Sequence, residues 1–307
     1  ILLSYLYVHL YLQVRELPLL NAASAPLDVQ INFLGGGPAG GLPIKLRGLV
    51  EPRALSFPDY EAYVFMNGDV TEGIVEQSDT AWSAPQSAPQ SGAAQPLAVQ
   101  SVTLDPHGGA SLTLTDMPVR ATPQTLTAEI EYPDPNGEML SAVTRVPLWP
   151  SSIVLGIKPE SWTLNQSRFN FSVVALDIAG KPLAGVKIAV DLLQRINYSH
   201  RKRLLGGFYA YENRSEIKAL GAACSGRTNA AGELRCTTQS AVASNLILRA
   251  RARDPQGNAS VVNQDVWVAG KTDWWYVVED HDRMELLPER RAYAPGETAR
   301  LQVRMPF

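Results

Sequence analysis

Few residues in this chain of 307 are of types and spacings that do chemistry. Its two cysteines, Cys224 and Cys236, flank a turn-forming stretch, Ser-Gly-Arg-Thr-Asn-Ala-Ala-Gly-Glu-Leu-Arg. Pairing about a turn at 229–232 sets Thr228 against Gly232, and hence Cys224 against Cys236. Facing positions on paired strands, ~4.5–5.5 Å apart, satisfy disulfide geometry. A nucleophilic cysteine would need a base nearby, and no histidine lies within twenty residues of either. A Cys224–Cys236 disulfide is expected, and with it an oxidising compartment; two buried free thiols are the alternative. Asp280-His281-Asp282 offers three ligands or an acid–base pair, but neighbours on an extended chain point to opposite faces, so the triplet reads as a solvated connector. His200-Arg201-Lys202-Arg203 is the one basic run and reads as an exposed loop. Gly35-Gly36-Gly37 follows a strand and leads to another, without the helix N-terminus that phosphate binding uses, so it reads as a hairpin loop. Asn-X-Ser triplets at Asn165, Asn170, Asn197, Asn213 and Asn258 matter only in a glycosylating pathway. No GxSxG, HExxH or paired-carboxylate arrangement is present. The reading is therefore of a non-enzyme, with no catalytic, metal or cofactor site.

Composition narrows the class further. Charged residues are 19% and the net charge is −3, against the clustered basic surface that nucleic acid needs. Hydrophobic residues at 45% exclude global disorder. No run approaches the ~20 apolar residues that cross a bilayer as a helix. Gly 23 and Pro 22 suit a turn-rich all-β chain.

The elements that would hold any site are strands. Leu6, Val8, Leu10, Leu12 and Val14 share one face, with Tyr5, Tyr7, His9, Tyr11 and Gln13 on the other. The same period of two recurs at Leu27–Phe33, Leu126–Tyr132, Phe169–Ala175, Val186–Leu192 and Ala299–Met305. Such alternation marks half-buried antiparallel strands. Turn signals separate them: Asp105-Pro106-His107-Gly108-Gly109, Asp134-Pro135-Asn136-Gly137 and Asp254-Pro255-Gln256-Gly257-Asn258. Residues 192–205 are the one place where a turn of helix is expected.

Internal repetition counts the domains. Pro18 and Pro159 lie 141 apart and Lys45 and Lys187 lie 142 apart, whereas Gly109 and Gly232 lie 123 apart and Asp134 and Asp254 lie 120 apart. The first copy must carry an insertion, and 78–97 (SDTAWSAPQSAPQSGAAQPL) has the length and the composition of a flexible surface loop. The expected organisation is a β-sandwich over 1–149, a second over 150–270, then a connector and the truncated start of a third over 271–307. The first residue is not Met and the last lies directly after a strand-like run, which predicts a piece of a longer protein.

Two phrases carry a family resemblance. Asp282-Arg283-Met284-Glu285-Leu286-Leu287-Pro288-Glu289, followed by Tyr293-Ala294-Pro295-Gly296-Glu297-Thr298-Ala299-Arg300-Leu301-Gln302-Val303, resembles the entry into a macroglobulin domain of bacterial alpha-2-macroglobulins. Ala175-Leu176-Asp177-Ile178-Ala179-Gly180-Lys181-Pro182-Leu183-Ala184-Gly185-Val186 resembles the first hairpin of such a domain. The resemblance implies tandem antiparallel β-sandwiches of the macroglobulin or fibronectin-III kind, from a periplasmic protease inhibitor that traps its prey after a bait segment is cut. Its partners would be other domains of the same protein, target proteases through the full-length parent, and other periplasmic envelope proteins. Any inner-membrane anchor would lie in the parent outside this chain. Some members carry a Cys-Leu-Glu-Gln thioester; here Cys224 is followed by Ser225-Gly226-Arg227, so the chain reads as scaffold. The competing reading is a tandem Ig-like stalk of a surface adhesin or polysaccharide-binding protein.

Overall fold

The computed structural model describes residues 8–15, 17–33, 37–68, 70–76, 94–134, 137–161, 163–203, 209–269, 285–288, 294–299 and 301–304. Among these residues the regular structure is β-strand apart from one 3-10 turn, Pro58–Tyr60. The strands form two compact units. One comprises residues 1–54 with 90–152, the other 55–89 with 153–307.

The first unit holds β1 (Val8–Val14), β2 (Leu19–Leu20), β3 (Ala25–Phe33) and β4 (Pro43–Pro52). After a segment belonging to the second unit it resumes with β7 (Gln95–Pro96), β8 (Gln100–Thr103), β9 (Gly109–Leu114), β10 (Gln124–Pro133) and β11 (Met139–Trp149). Its smaller sheet runs β1-β3-β9; its larger runs β2-β11-β10-β4-β7, with β8 also on β4. The alternation read from the sequence is what faces these sheets together. Leu27, Val29 and Ile31 from one and Leu46, Leu126 and Ile130 from the other are buried in a single core, while Asp28, Gln30 and Thr127 point away. At ~1.5–3 kcal/mol per fully buried aliphatic side chain, this core is the main force holding the two sheets together.

The second unit holds β12 (Ile153–Pro159), β13 (Thr163–Asn165), β14 (Phe169–Asp177), β15 (Lys187–Arg203), β16 (Tyr209–Arg227), β17 (Glu233–Thr238), β18 (Asn245–Arg253) and β19 (Ala259–Ala269). Two short strands from the inserted segment, β5 (Val64–Phe65) and β6 (Gly73–Glu76), complete its sheets. The smaller runs β17-β14-β12-β5 and the larger β13-β19-β18-β15-β16-β6. Leu155, Phe171 and Val173 meet Ile188, Val190, Leu248 and Val262 in its core. A last pair, β20 (Glu285–Pro288) with β21 (Leu301–Arg304), forms a two-stranded ladder.

The internal repeat is visible bond by bond. In the first unit Ile31 N–H donates to Gly108 O, Ala39 N–H to Ile31 O, and Leu104 N–H to Leu42 O. In the second, Ala175 N–H donates to Gly232 O, Leu183 N–H to Ala175 O, and Thr228 N–H to Val186 O. Isolated bridges join Asn32 to Pro38 and, equivalently, Leu176 to Pro182. The partner of Gly232 is therefore Gly108, one residue before the Gly109 that sequence matching selects. Asp134 and Asp254 do correspond, since Asp134 N–H donates to Glu138 O and Asp254 N–H to Asn258 O. The loops share one device. A carboxylate or amide Oδ1 at the first position accepts the N–H four residues on, at Asp105, Asp134, Asp177, Asn229 and Asp254, over 2.8–3.0 Å.

Other expectations change. Residues 192–203, read as a turn of helix and then a basic loop, are continuous strand to Arg203. Their amides pair with β16 out to Arg203↔Tyr209, a ladder no local helix could match. Residues 55–76, read as part of the first domain, leave it after β4 and pair with the second unit instead. Of the 78–97 insertion only 94–97 are described; there Gln95–Pro96 pairs with β4, and Leu97 packs into the first core. On β21, Leu301 and Val303 share a face as read, but each is 53% exposed.

Candidate functional site

The disulfide joins the expected pair, Cys224 and Cys236, with Cα atoms 6.0 Å apart. Its setting differs from a simple hairpin. Cys224 lies opposite Val190 in the larger sheet, whereas Cys236 lies opposite Phe171 in the smaller one. The chain leaves β16 at Arg227, turns through 229–232 and enters the other sheet at Glu233. Each cysteine strand already has its own ladder partner, so the two do not pair with each other, and the bond staples one sheet of the sandwich to the other. Gly226 packs under the Leu234 side chain at the crossing, where an added Cβ would lie 2.8 Å from its terminal methyl.

The densest buried polar arrangement in the described residues surrounds the strap, residues 55–76. Asn67 presents its side-chain amide to the backbone of Asn263 like one more strand. Asn263 N–H donates to Asn67 Oδ1 at 2.7 Å, and Asn67 Nδ2 donates to Asn263 O at 2.8 Å. Asn263 Nδ2 in turn donates to Gly68 O. Further along, Arg249, whose side chain is only 7% exposed, donates to Val70 O at 3.1 Å and to Glu72 Oε1 at 2.9 Å. Asp191 lies 3.4 Å from the same guanidinium and also accepts from Arg251. Apolar contacts fix the start of the strap. Phe65 stacks edge-on with Phe57 at 4.9 Å and lies over Gly156, where a Cβ would come within 2.5 Å of its ring. This arrangement has carboxylates, amides and cations but no nucleophile with a base.

Elsewhere the surface carries cross-strand ion pairs. Arg15, directly after β1, donates to Asp28 of β3 through Nε at 3.0 Å and Nη2 at 2.5 Å, and Ser111 Oγ donates to it at 2.8 Å. These bonds, Arg15's foremost, hold the Asp28 carboxyl at about 2, below its ordinary 3.8. A carboxylate depressed in the folded state stabilises above its unfolded value and loses that contribution as the pH falls toward the folded one. The melting midpoints of the wild type and Asp28→Asn should therefore differ by a constant amount above about pH 4, with the gap closing between there and about pH 2. A gap unchanged down to pH 2 would remove Asp28 from the account. Tyr198 donates to Glu216 at 2.8 Å, which raises the phenol and lowers the carboxyl.

No group of three His, Cys, Asp or Glu among the described residues could hold a metal ion. Asp280-His281-Asp282 lies outside them. Gly35 and Gly36 lie outside the described residues; Gly37 is described, with φ +108°, and Phe33 N–H donates to Gly37 O while Asn32 bridges Pro38, so the chain turns back on β3 as read before it passes to β4 in the other sheet. Among the described residues no helix is long and apolar enough to cross a membrane. The strap escaped sequence reading because its anchors are single residues without a period; the Asn67-Gly68 dipeptide followed by Val70 and Glu72 was the one local signal.

Comparison with known proteins places this architecture. No family model matches the chain. It is 21% identical over 185 residues to an alpha-2-macroglobulin homolog of Nostoc sp., a match spanning 60% of this chain and 10% of that protein. Its fold is similar to native Escherichia coli alpha-2-macroglobulin, with a TM-score of 0.56 and 16% identity over 97% of this chain and 18% of the other. It is similar as well to Salmonella alpha-2-macroglobulin reacted with methylamine, with a TM-score of 0.55, 16% identity and the same coverage. The chain thus spans about a tenth of the curated relative, and its resemblance to the alpha-2-macroglobulins holds in sequence and in fold.

Proposed function

We propose that this chain, which has the tandem β-sandwich fold of the bacterial alpha-2-macroglobulins, is non-catalytic scaffold from a protease-trapping protein of that kind. The observation that carries the reading is the pair of sandwiches joined by equivalent loop hydrogen bonds, with a fold similar to those structures over 97% of the chain. The inter-sheet disulfide supports a location in an oxidising compartment, for which the periplasm is our reading. We read 271–307 as a connector and the opening of a third sandwich. The exposed apolar face of β21 supports this, since a sandwich strand covers such a face with a second sheet.

In this reading the prey is captured by the whole protein, and these residues contribute framework without the bait. The purified chain should then leave a protease fully active on both protein and peptide substrates at any molar ratio, and should itself be unable to cleave either. Stoichiometric protection of a protein substrate by the chain alone would place trapping inside these residues and overturn the scaffold assignment.

A further inference from the structure

The strap is buried at its start, where β5 extends the smaller sheet, and lies on the outside of the second unit from Val70 onward. The core between the two sheets is built from β12 to β19; Val64 of the strap packs against it, and Phe65 and Met66 are buried as well. The contacts of the rest are on the outside. Leu192 faces the core, while its neighbour Leu193 is buried on the opposite face with Ile217 and Ile247, under Val70 of the strap. A sheet face meant for water would be polar there. Strands β15, β16 and β18 are thus patterned for an apolar cover. Around that floor stand groups suited to an extended chain. The Asn263 backbone and amide pair with Asn67 and Gly68, and the buried Arg249 guanidinium takes Val70 O and Glu72. Free edges of β12 and β16 add β5 and β6 as antiparallel partners. Apolar floor, polar readers and open edges together are how folded domains bind extended peptides by strand addition.

We propose that the outer face of this larger sheet, with the β12 and β16 edges, is a recognition site for an extended peptide, and that Tyr63–Glu76 is its resident, separable ligand. The ligand class is a segment extended at its two ends and turning at Met66 and Gly68, both at positive φ, reading aromatic–Met–Asn–Gly, then an aliphatic residue two positions after the glycine and a carboxylate two beyond that. Asn67 sets the register, because its amide alone matches the Asn263 peptide group. Glu72 and Val70 set the direction, because Arg249 meets a carbonyl before a carboxylate along the chain.

The test uses the full chain with residues 64–76 replaced by a glycine–serine segment of equal length. It should keep a cooperative melt and amide protection in β14 and β18, and should bind a fluorescent peptide of sequence Tyr63–Glu76. The same peptide with Asn67→Ala should bind about tenfold more weakly or worse. The wild-type chain, its site already filled, should also bind the peptide at least about tenfold more weakly than the strap-replaced chain. Hydrogen exchange on the wild type gives an independent readout: amides of Met66 and β6 should exchange by local opening, well ahead of β14 and β18. Loss of the second unit's fold on strap replacement, or strap amides exchanging only at the core rate, would make the strap an integral strand and overturn the proposal. A folded variant that ignores the peptide, or binds the Asn67→Ala peptide equally, would overturn it too. A wild-type chain of doubled mass, with straps exchanged between copies, would overturn the intramolecular assignment.

Discussion

Replacing Gly232 by alanine should destabilise the second unit by about 3 kcal/mol or more, and Gly108→Ala should do the same to the first. Two costs combine at each position. Gly232 has φ +70° and Gly108 φ +76°, a left-handed backbone that costs an L side chain ~1–2 kcal/mol. In addition a Cβ at Gly232 would lie 2.7 Å from Ala175 O and 3.0 Å from Leu183 N, and at Gly108 2.4 Å from Ile31 O. Those atoms are backbone, held by the bonds that define the repeat, and have nowhere to go. Gly185 and Gly41 supply the control, since both have φ +76° yet nothing within 4 Å of the added Cβ. Alanine there should cost about 1 kcal/mol, the conformational part alone. Calorimetry reads the contrast directly: a fall in melting midpoint of about 10 °C for Gly232→Ala, against a few degrees for Gly185→Ala. Equal small shifts at both would mean that the loops are not held as described.

The disulfide is the second large effect. Replacing Cys224 and Cys236 together by alanine should cost the second unit about 3 kcal/mol, the chain-entropy value for a loop of this length. Because the bond joins the sheets, the loss should not be uniform. Strand β17 lies at the edge of the smaller sheet with β14 as its one ladder partner, so Glu233–Thr238 should lose amide protection before β14 does. A reductant should reproduce the effect in the wild type and leave the double variant unchanged. A double variant as stable as the wild type, with β17 still protected, would show that the staple carries no load.

Most of what alternation can encode was legible from the sequence. It tells which face of Leu27–Phe33 or Leu126–Tyr132 is wet, and both runs are buried as read. It is silent on which strand lies next to which. That is why Cys224 and Cys236 could be paired correctly while their strands were placed in one hairpin rather than in two sheets. Ile153–Ile157 is buried at every position and so shows no period at all. The strap was invisible for a related reason: β5 and β6 are two and four residues long, too short for a pattern, and the stretch between them is held by Asn67, Val70 and Glu72 acting singly. The tandem repeat was readable because Asp-x-x-Gly loops leave a chemical trace, Oδ1 and a left-handed glycine, that does not depend on the partner strand. Its one-residue slip at Gly109 arose because Gly108 and Gly109 are adjacent and only Gly108 has the positive φ.

The central claim, that these sandwiches are scaffold of a protease trap, is tested most directly on the full-length protein of which this reading makes them a part. Increasing amounts of that protein are added to a fixed amount of protease, and hydrolysis of a large protein substrate and of a small peptide substrate is followed in parallel. A trap encloses its prey without blocking the active site, so cleavage of the protein substrate should fall to near zero at a stoichiometric ratio while peptide hydrolysis persists. Undiminished cleavage of both substrates would contradict the account and favour an adhesin-type stalk; loss of both would mark an active-site inhibitor instead.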